Sequence, residues 1–287
     1  MKFQMPWRQH PVVYLLFPAG VVLLIFFFFP IFFLLLLSLR KYVIGSIPSG
    51  LTLANFFHFF SDPFYLDVLL STLKLGVLVT CITLVMGYPV AYFLVRTRLP
   101  FKNWLRMAVI SPLLVSVVIR TYGWLILLSD RGLVNQMLTG LGIVEQPVKM
   151  LFTYNGVLIG LVHVFLPLMI LSLVGVIENI NPSLEDAAEN LGANWIQRFL
   201  WITLPLSLPG IIAGSLLVFS LSIAAYVTPQ LLGGPSLLLL STMVFQQIMV
   251  VLDWGFGAAI AVILLVMTLM IIFIYTRILN LGKRWEV

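Results

Sequence analysis

Six apolar runs, near 12–38, 66–95, 105–128, 155–177, 206–227 and 256–279, take up most of this chain of 287 residues. Each supplies the roughly 20 apolar residues that a helix rising about 1.5 Å per residue needs to cross a bilayer. That feature removes most architectures. No soluble core has room for so much apolar surface. In hydrocarbon, every backbone N–H and C=O must also be paired inside the protein. The prediction is an all-α integral membrane protein with six transmembrane helices. Charged residues make up only 9% of the chain, against about 25% in soluble domains. The first run exceeds the about 7–15 apolar residues of a signal-peptide core, so it is expected to stay in the membrane. A formal charge of +6 fits cytoplasmic anchoring and gives no reason to expect nucleic acid as a partner.

The breaks between runs are punctuated by charge and turn residues. Arg40 and Lys41 end the first, Arg96-Thr-Arg-Leu-Pro-Phe-Lys102 separates the second from the third, and Asp130-Arg-Gly132 closes the third. Gly233-Gly-Pro235 and Asp253-Trp-Gly255 bracket the last outer loop. With the N-terminus inside, Lys2, Arg8, Arg96, Arg98, Lys102, Arg106, Arg198, Arg277, Lys283 and Arg284 fall on the cytoplasmic side. Only Arg40, Lys41, Arg131 and Lys149 fall outside. This asymmetry predicts that both termini are cytoplasmic.

The stretch from Glu178 to Pro205 is unlike the rest. It holds four of the ten acidic residues and, by parity of spans, lies in the cytoplasm. Asn181 suits a helix N-cap and Pro182 the first helical position. Ser183 with Asp186 offers an alternative capping box. Glu185, Asp186 and Glu189 complement the helix dipole in the first turns. Ala187 and Ala188 present a small-residue face, and Gly192 can end the helix in a left-handed conformation. A second short helix through Ile196, Phe199 and Ile202 is expected to break at Pro205 before the fifth span.

Asp186-Ala-Ala188, three residues, Gly192, nine residues and Ile202-Thr-Leu-Pro205 resemble the "EAA" loop of permease subunits of ATP-binding-cassette importers. That family's pattern is E-A-A, three residues, G, nine residues, I-x-L-P. Asp186 stands where the family usually has Glu, with Glu185 just before it. The resemblance implies a type I importer permease fold over a single domain, residues 1–287, in the bacterial cytoplasmic membrane. It further implies that Glu185, Asp186, Ala187, Ala188, Gly192, Ile202, Leu204 and Pro205 form a coupling element seated on a cytoplasmic ATPase dimer. A second, homologous permease subunit, an extracytoplasmic solute-binding protein and membrane lipid would be the other partners. ATP and Mg would sit on the ATPase.

Within the spans, Lys74 and Arg120 are the basic residues, each about 12 Å from the outer end of its span. Ionisable groups there line a wet path, snorkel outward, or pair with an acid such as Asp67 or Asp130. His163 reads as a hydrogen-bonded packing residue. Gly156 with Gly160, and Gly210 with Gly214, are small-xxx-small pairs suited to close helix packing or to a seam with a second subunit. Pro18, Pro30, Pro89, Pro112 and Pro167 should kink their spans, and the Phe26–Phe29 run should face lipid. No catalytic constellation, metal-ligand spacing or G-x-x-x-x-G-K-[ST] phosphate loop is present, so any ATP hydrolysis belongs to another chain. Cys81 is the single cysteine.

Gly87-Tyr-Pro-Val-Ala-Tyr92, Ile119-Arg-Thr-Tyr-Gly123, Gly132-Leu-Val-Asn135 and Asp253-Trp-Gly-Phe-Gly-Ala-Ala259 resemble permeases of the spermidine/putrescine importer family, the first permease of the pair most of all. The solute implied is a polyamine, with an opine or another small amine-bearing solute as the alternative. Tyr122, Trp124 and Tyr226 could offer cation–π contacts on the path or anchor the interface. Asp253 and Asp130 could steer a cation inward. An ion-coupled secondary carrier would place acids at midplane and show internal repeats, and a membrane-embedded enzyme would need a catalytic set. The residues offer none of these.

Overall fold

A computed structural model describes residues 10–40 and 50–282, with side chains for all but 10–16, 236 and 278–282. Lys2, Arg8, Lys41, Lys283 and Arg284 of the charge count lie outside the described residues. The regular elements of the described residues are all helices, without strands. Four helices are long and apolar enough to span a membrane alone: Phe17–Ser38, Pro63–Arg96, Tyr154–Ile177 and Trp254–Arg277. Two helix pairs meet the same measure only together and are bent, Lys102–Leu114 with Val117–Leu127 at 96° and Trp195–Leu206 with Leu208–Ala224 at 64°, as a broken span or a re-entrant loop would be. Counting each bent pair as one span gives up to 6.

The bend after Pro112 agrees with the kink expected there, and the second bend falls just past Pro205. In the third apolar run, Pro112 sits in a tight turn, Ser111–Leu114, after which Val115 and Ser116 are extended. Proline lacks the N–H that would carry the helix through. In the fifth, Pro205 does not break the helix as expected. It lies within the turn Leu204–Leu206. The bend falls at Ser207, and Pro209 opens the helix Leu208–Ala224.

A wide helical turn precedes Pro205, and the first span has the same device. Phe199–Thr203 and Leu24–Phe28 are π-helical. The N–H of Leu204 bonds to Phe199 O, and that of Phe29 to Leu24 O. Each wide turn ends two residues before a proline, Pro205 or Pro30. Widening removes the clash between the proline ring and the carbonyl four residues back, so the chain stays helical past it.

The contacts divide the chain into two compact units, residues 1–63 with 243–267, and residues 64–242 with 268–287. In the first, Asn55 Nδ2 donates to the carbonyls of Ser38 at 2.9 Å and Arg40 at 3.0 Å. This fastens the helix Ala54–Ser61 to the end of the first span. The Phe26–Phe29 rings are exposed, as expected of a lipid-facing run. Asp253 caps the last span, its Oδ1 accepting from Phe256 N at 2.9 Å.

In the second unit, Tyr154–Ile177 is the central helix, with Leu161, Met169, Leu173 and Ile177 fully buried. Hydroxyls within the spans bond back to the carbonyl four residues earlier, as Thr72 to Val68 and Thr83 to Val79 at 2.8 Å. This keeps polar groups satisfied in an apolar setting. The glycine pairs pack within the chain. A Cβ on Gly214 would lie 2.7 Å from Met169 Sδ, and one on Gly210 3.0 Å from Val176 Cβ. One on Gly160 would lie 2.6 Å from Leu232 Cδ1, while Gly156 abuts Met150 O. Replacing Gly214 by Leu should therefore cost about 1–3 kcal/mol through overpacking. Thermal unfolding in detergent would read this as a lowered midpoint, and an unchanged midpoint would contradict the close packing.

Candidate functional site

The polar stretch forms the short helix Pro182–Asn190, capped at both ends by its own sequence. Asn181 Oδ1 accepts from Ser183 N at 3.1 Å, with Pro182 in the first turn. The Asn181 cap is the one formed. At the other end Gly192 has φ +88°. Its N–H bonds to Glu189 O at 2.9 Å, and Ala193 N to Ala188 O at 2.9 Å. These two bonds are a Schellman closure, which needs a left-handed residue at this position. A Cβ on Gly192 would meet nothing within 4 Å, so backbone conformation and not space calls for glycine here. The second short helix, Trp195–Arg198, opens on a capping box. Asn194 Oδ1 accepts from Gln197 N at 2.9 Å, and Gln197 Oε1 from Asn194 N at 2.8 Å.

The acids of the stretch divide into two kinds. Three are paired: Glu178 with Arg106, Glu185 with Arg96 and Glu189 with Arg198. All three of these ion pairs tie down this stretch. Asp186 has no such partner and is exposed. Around it Ala187 is exposed, Ala188 half-buried, and Leu191 is 90% exposed. Trp201 is 80% exposed. Ala188, Leu191, Gly192, Ala193, Gln197, Trp201 and Ile202 line one open groove. Ile202 and Leu204 are half-buried and Pro205 is exposed.

Glu185 points the other way. Its side chain is 11% exposed and that of Arg96 17%. Arg96 Nη2 donates to Glu185 Oε1 at 2.7 Å and Nε at 3.2 Å. Thr203 Oγ1 donates to Oε1 at 2.9 Å and Tyr92 Oη to Oε2 at 3.3 Å. Arg96 also donates to Ile180 O at 3.3 and 3.4 Å. Three side chains thus converge on one dehydrated carboxylate, through four hydrogen bonds. Removing one member of such a pair leaves a buried charge uncompensated, at a cost of about 3–5 kcal/mol. The exposed pairs are worth about 0–1 kcal/mol.

Tyr88, Tyr92 and Arg96 stand four residues apart, on one face of Pro63–Arg96. Tyr88 Oη and Ser207 Oγ share a hydrogen bond at 2.7 Å. The Phe199 ring stands edge-on to Tyr88 at 5.3 Å and to Tyr92 at 6.3 Å, and stacks on Trp195 at 6.3 Å. Sequence reasoning named Glu185 as a neighbour of Asp186 and missed its partners. The available signal was the period-four row of polar tips on Tyr88, Tyr92 and Arg96.

The residues considered for a path are less gathered. Trp124 Nε1 donates to His163 Nδ1 at 3.0 Å, with the rings edge-on at 5.3 Å. His163 is hydrogen-bonded as expected. Thr121, between Arg120 and Tyr122, shares a 3.2 Å hydrogen bond with Thr228, which fixes this helix to Val227–Gly233, beside Tyr226. Tyr122 is exposed and Tyr226 half-buried. Arg120 Nε and Nη1 are buried with no hydrogen-bond partner. Lys74 is exposed. Neither basic residue has an ion pair with Asp67 or Asp130, which is one of the alternatives that the sequence leaves open for them. No group of three or more His, Cys, Asp or Glu residues among the described residues could hold a metal.

No family model matches the chain. It is 37% identical over 216 residues to the spermidine/putrescine transport system permease protein PotB of Escherichia coli (strain K12), covering 75% of this chain and 78% of that one. It is 36% identical over 234 residues to PotB of Haemophilus influenzae, covering 82% of each. The inner membrane ABC transporter permease protein YdcU of Escherichia coli is 32% identical over 70% of this chain. Among solved structures, a chain of a bacterial alginate ABC transporter in complex with its pentasaccharide-bound periplasmic protein aligns with TM-score 0.78 at 20% identity, covering 93% of both chains. A second alginate importer structure aligns with TM-score 0.72 over 94% of this chain. Fold, apolar helices and kinship agree: the chain is a multi-pass inner-membrane protein and belongs to the family of ABC importer permeases that includes PotB.

Proposed function

We propose that this chain, acting as one permease domain, carries a polyamine such as spermidine or putrescine inward, driven by ATP hydrolysed with Mg on a separate cytoplasmic ATPase dimer. A homologous permease would complete the channel, and an extracytoplasmic binding protein would deliver the solute. The observation that carries the reading is the doubly capped helix Pro182–Asn190, whose unpaired acid Asp186 stands exposed beside an open groove of mixed polarity. Such a rigid element, backed by Glu185 and faced by Asp186, Leu191 and Trp201, suits docking into a cleft of a partner. The charge asymmetry of the sequence supports a cytoplasmic position for it and for both termini. The solute rests on the names of the relatives.

Mechanistically, solute delivery and ATPase closure would shift this helix, and the spans would rearrange around a central path. Arg120, with two buried and unpartnered nitrogens, favours a second solute reading. A guanidinium suits a carboxylate, as an opine carries, better than it suits a bare polycation. Path lining by Lys74, Arg120, Tyr122, Trp124, Tyr226 and Asp253 belongs to this proposal.

Proteoliposomes holding both permeases and the ATPase, supplied with the binding protein, should accumulate labelled putrescine or spermidine only with ATP. Accumulation driven by an ion gradient without the ATPase would overturn the reading in favour of a secondary carrier. Competition by an opine at equal concentration would select the alternative solute.

Two substitutions probe the docking face. Asp186→Lys should weaken ATPase co-purification about tenfold, which corresponds to about 1.4 kcal/mol of lost docking energy, and lower uptake in parallel. Gly192→Val should do the same by straining the left-handed closure, whereas Gly192→Asn should be tolerated far better. Equal retention of the ATPase by all three variants would contradict the docking face.

A further inference from the structure

We infer that Glu185, Arg96, Tyr92 and Thr203 form the joint through which the helix Pro182–Asn190 moves two spans as one body. The inference rests on the docking reading above and deepens it, because it assigns the inward half of the element. Asp186 faces the partner, and Glu185 faces the membrane domain.

The geometry supplies the reasons. Glu185 is the buried acid of the stretch, and its two oxygens accept from side chains on two different spans. Oε1 takes Arg96 from the cytoplasmic end of Pro63–Arg96 and Thr203 from the turn leading into the fifth span. Oε2 takes Tyr92, one turn before Arg96. The guanidinium continues past the carboxylate to Ile180 O, the residue before the cap Asn181. One arginine therefore holds both the approach to the short helix and the carboxylate in its first turn.

A push on Pro182–Asn190 has no slack to absorb it on this side. Both helix ends are closed by their own caps. The carboxylate is dehydrated, so moving it away from Arg96 would expose two unpaired charges to a poorly solvating site. Below the joint, the Phe199 ring fills the space between Tyr88, Tyr92 and Trp195, and Tyr88 reaches Ser207. The row Tyr88, Tyr92, Arg96 thus grips the bent approach to the fifth span over its whole length, from Glu185 to the 64° bend. The predicted motion carries the end of the second span and the start of the fifth together.

The test uses the complete transporter in proteoliposomes, with Cys81 replaced by Ser and spin labels at Arg98 and Asn190, both exposed. In this parent, the distance between labels should stay constant between the nucleotide-free and ATP-bound states. In Glu185→Gln and in Arg96→Gln it should broaden or shift on ATP binding. Solute taken up per ATP hydrolysed should fall about tenfold, as for a coupling loss within the usual allosteric range, while the ATPase still co-purifies. The exchanged pair Glu185→Arg with Arg96→Glu should recover part of that ratio. A merely structural role would lower yield and leave the ratio and the distances alone. Should either single variant assemble poorly, the milder Thr203→Val, which removes one donor and no charge, is read by the same two measurements. Variants that keep the ATPase, the constant distance and the parental ratio would overturn the joint and leave docking intact. Loss of the ATPase from the parent itself would instead overturn docking.

Discussion

A carboxylate leaves water only if something else satisfies it, and Glu185 is the place where this chain meets that demand. Its oxygens accept from Arg96, Tyr92 and Thr203. Each donor comes from an element that would otherwise be free to slide past the short helix. The pair is dehydrated on both sides, so its parts are costly to separate. The other two pairs of the stretch, Arg106 with Glu178 and Arg198 with Glu189, are more exposed and add orientation more than strength. The polar stretch is therefore a rigid extension of the spans and not a loose connector between them.

The spans obey the same rule of satisfied polar groups by other means. Hydroxyls of Thr72, Thr83 and Ser222 fold back onto their own helices. Proline is tolerated by widening the turn before it, at Leu24–Phe28 and Phe199–Thr203, or by an open bend, as at Val115 and Ser116. Glycine lets the helix Leu208–Ala224 approach Met169, Ser172 and Val176 on the central helix. Bends and close approaches together bring Thr203 and Ser207 under the row Tyr88, Tyr92 and Arg96.

Much of this was legible in the sequence, because its signals are local. Apolar run lengths located the long apolar helices, and Asn181, Pro182 and Gly192 marked both ends of the short helix. Three things were not legible. Pro205 looked like a breaker, since a one-residue widening upstream leaves no mark in composition. The severity of the bend after Pro112 depended on two extended residues that carry no turn signature. The inward role of Glu185 was hidden because its partners lie 89 and 18 positions away. A spacing pattern sees Asp186, Ala187 and Ala188 in order, and says nothing of which carboxylate turns toward the spans. Likewise, nothing in the sequence decided between paired and unpaired states for Arg120, which the structure leaves with two orphaned nitrogens.

The central claim is that Pro182–Asn190 is held by its own protein on one face and by an ATPase on the other. A single cysteine at Leu191, which is 90% exposed, in a chain whose Cys81 is replaced by Ser, tests the ATPase-facing half directly. In inside-out membranes bearing the assembled transporter, a short-span cross-linker at that position should join this chain to the ATPase subunit. Stripping the ATPase should then leave the same cysteine open to a water-soluble maleimide. A Leu191 cysteine that reacts freely with the maleimide while the ATPase is bound, and never cross-links to it, would contradict the account.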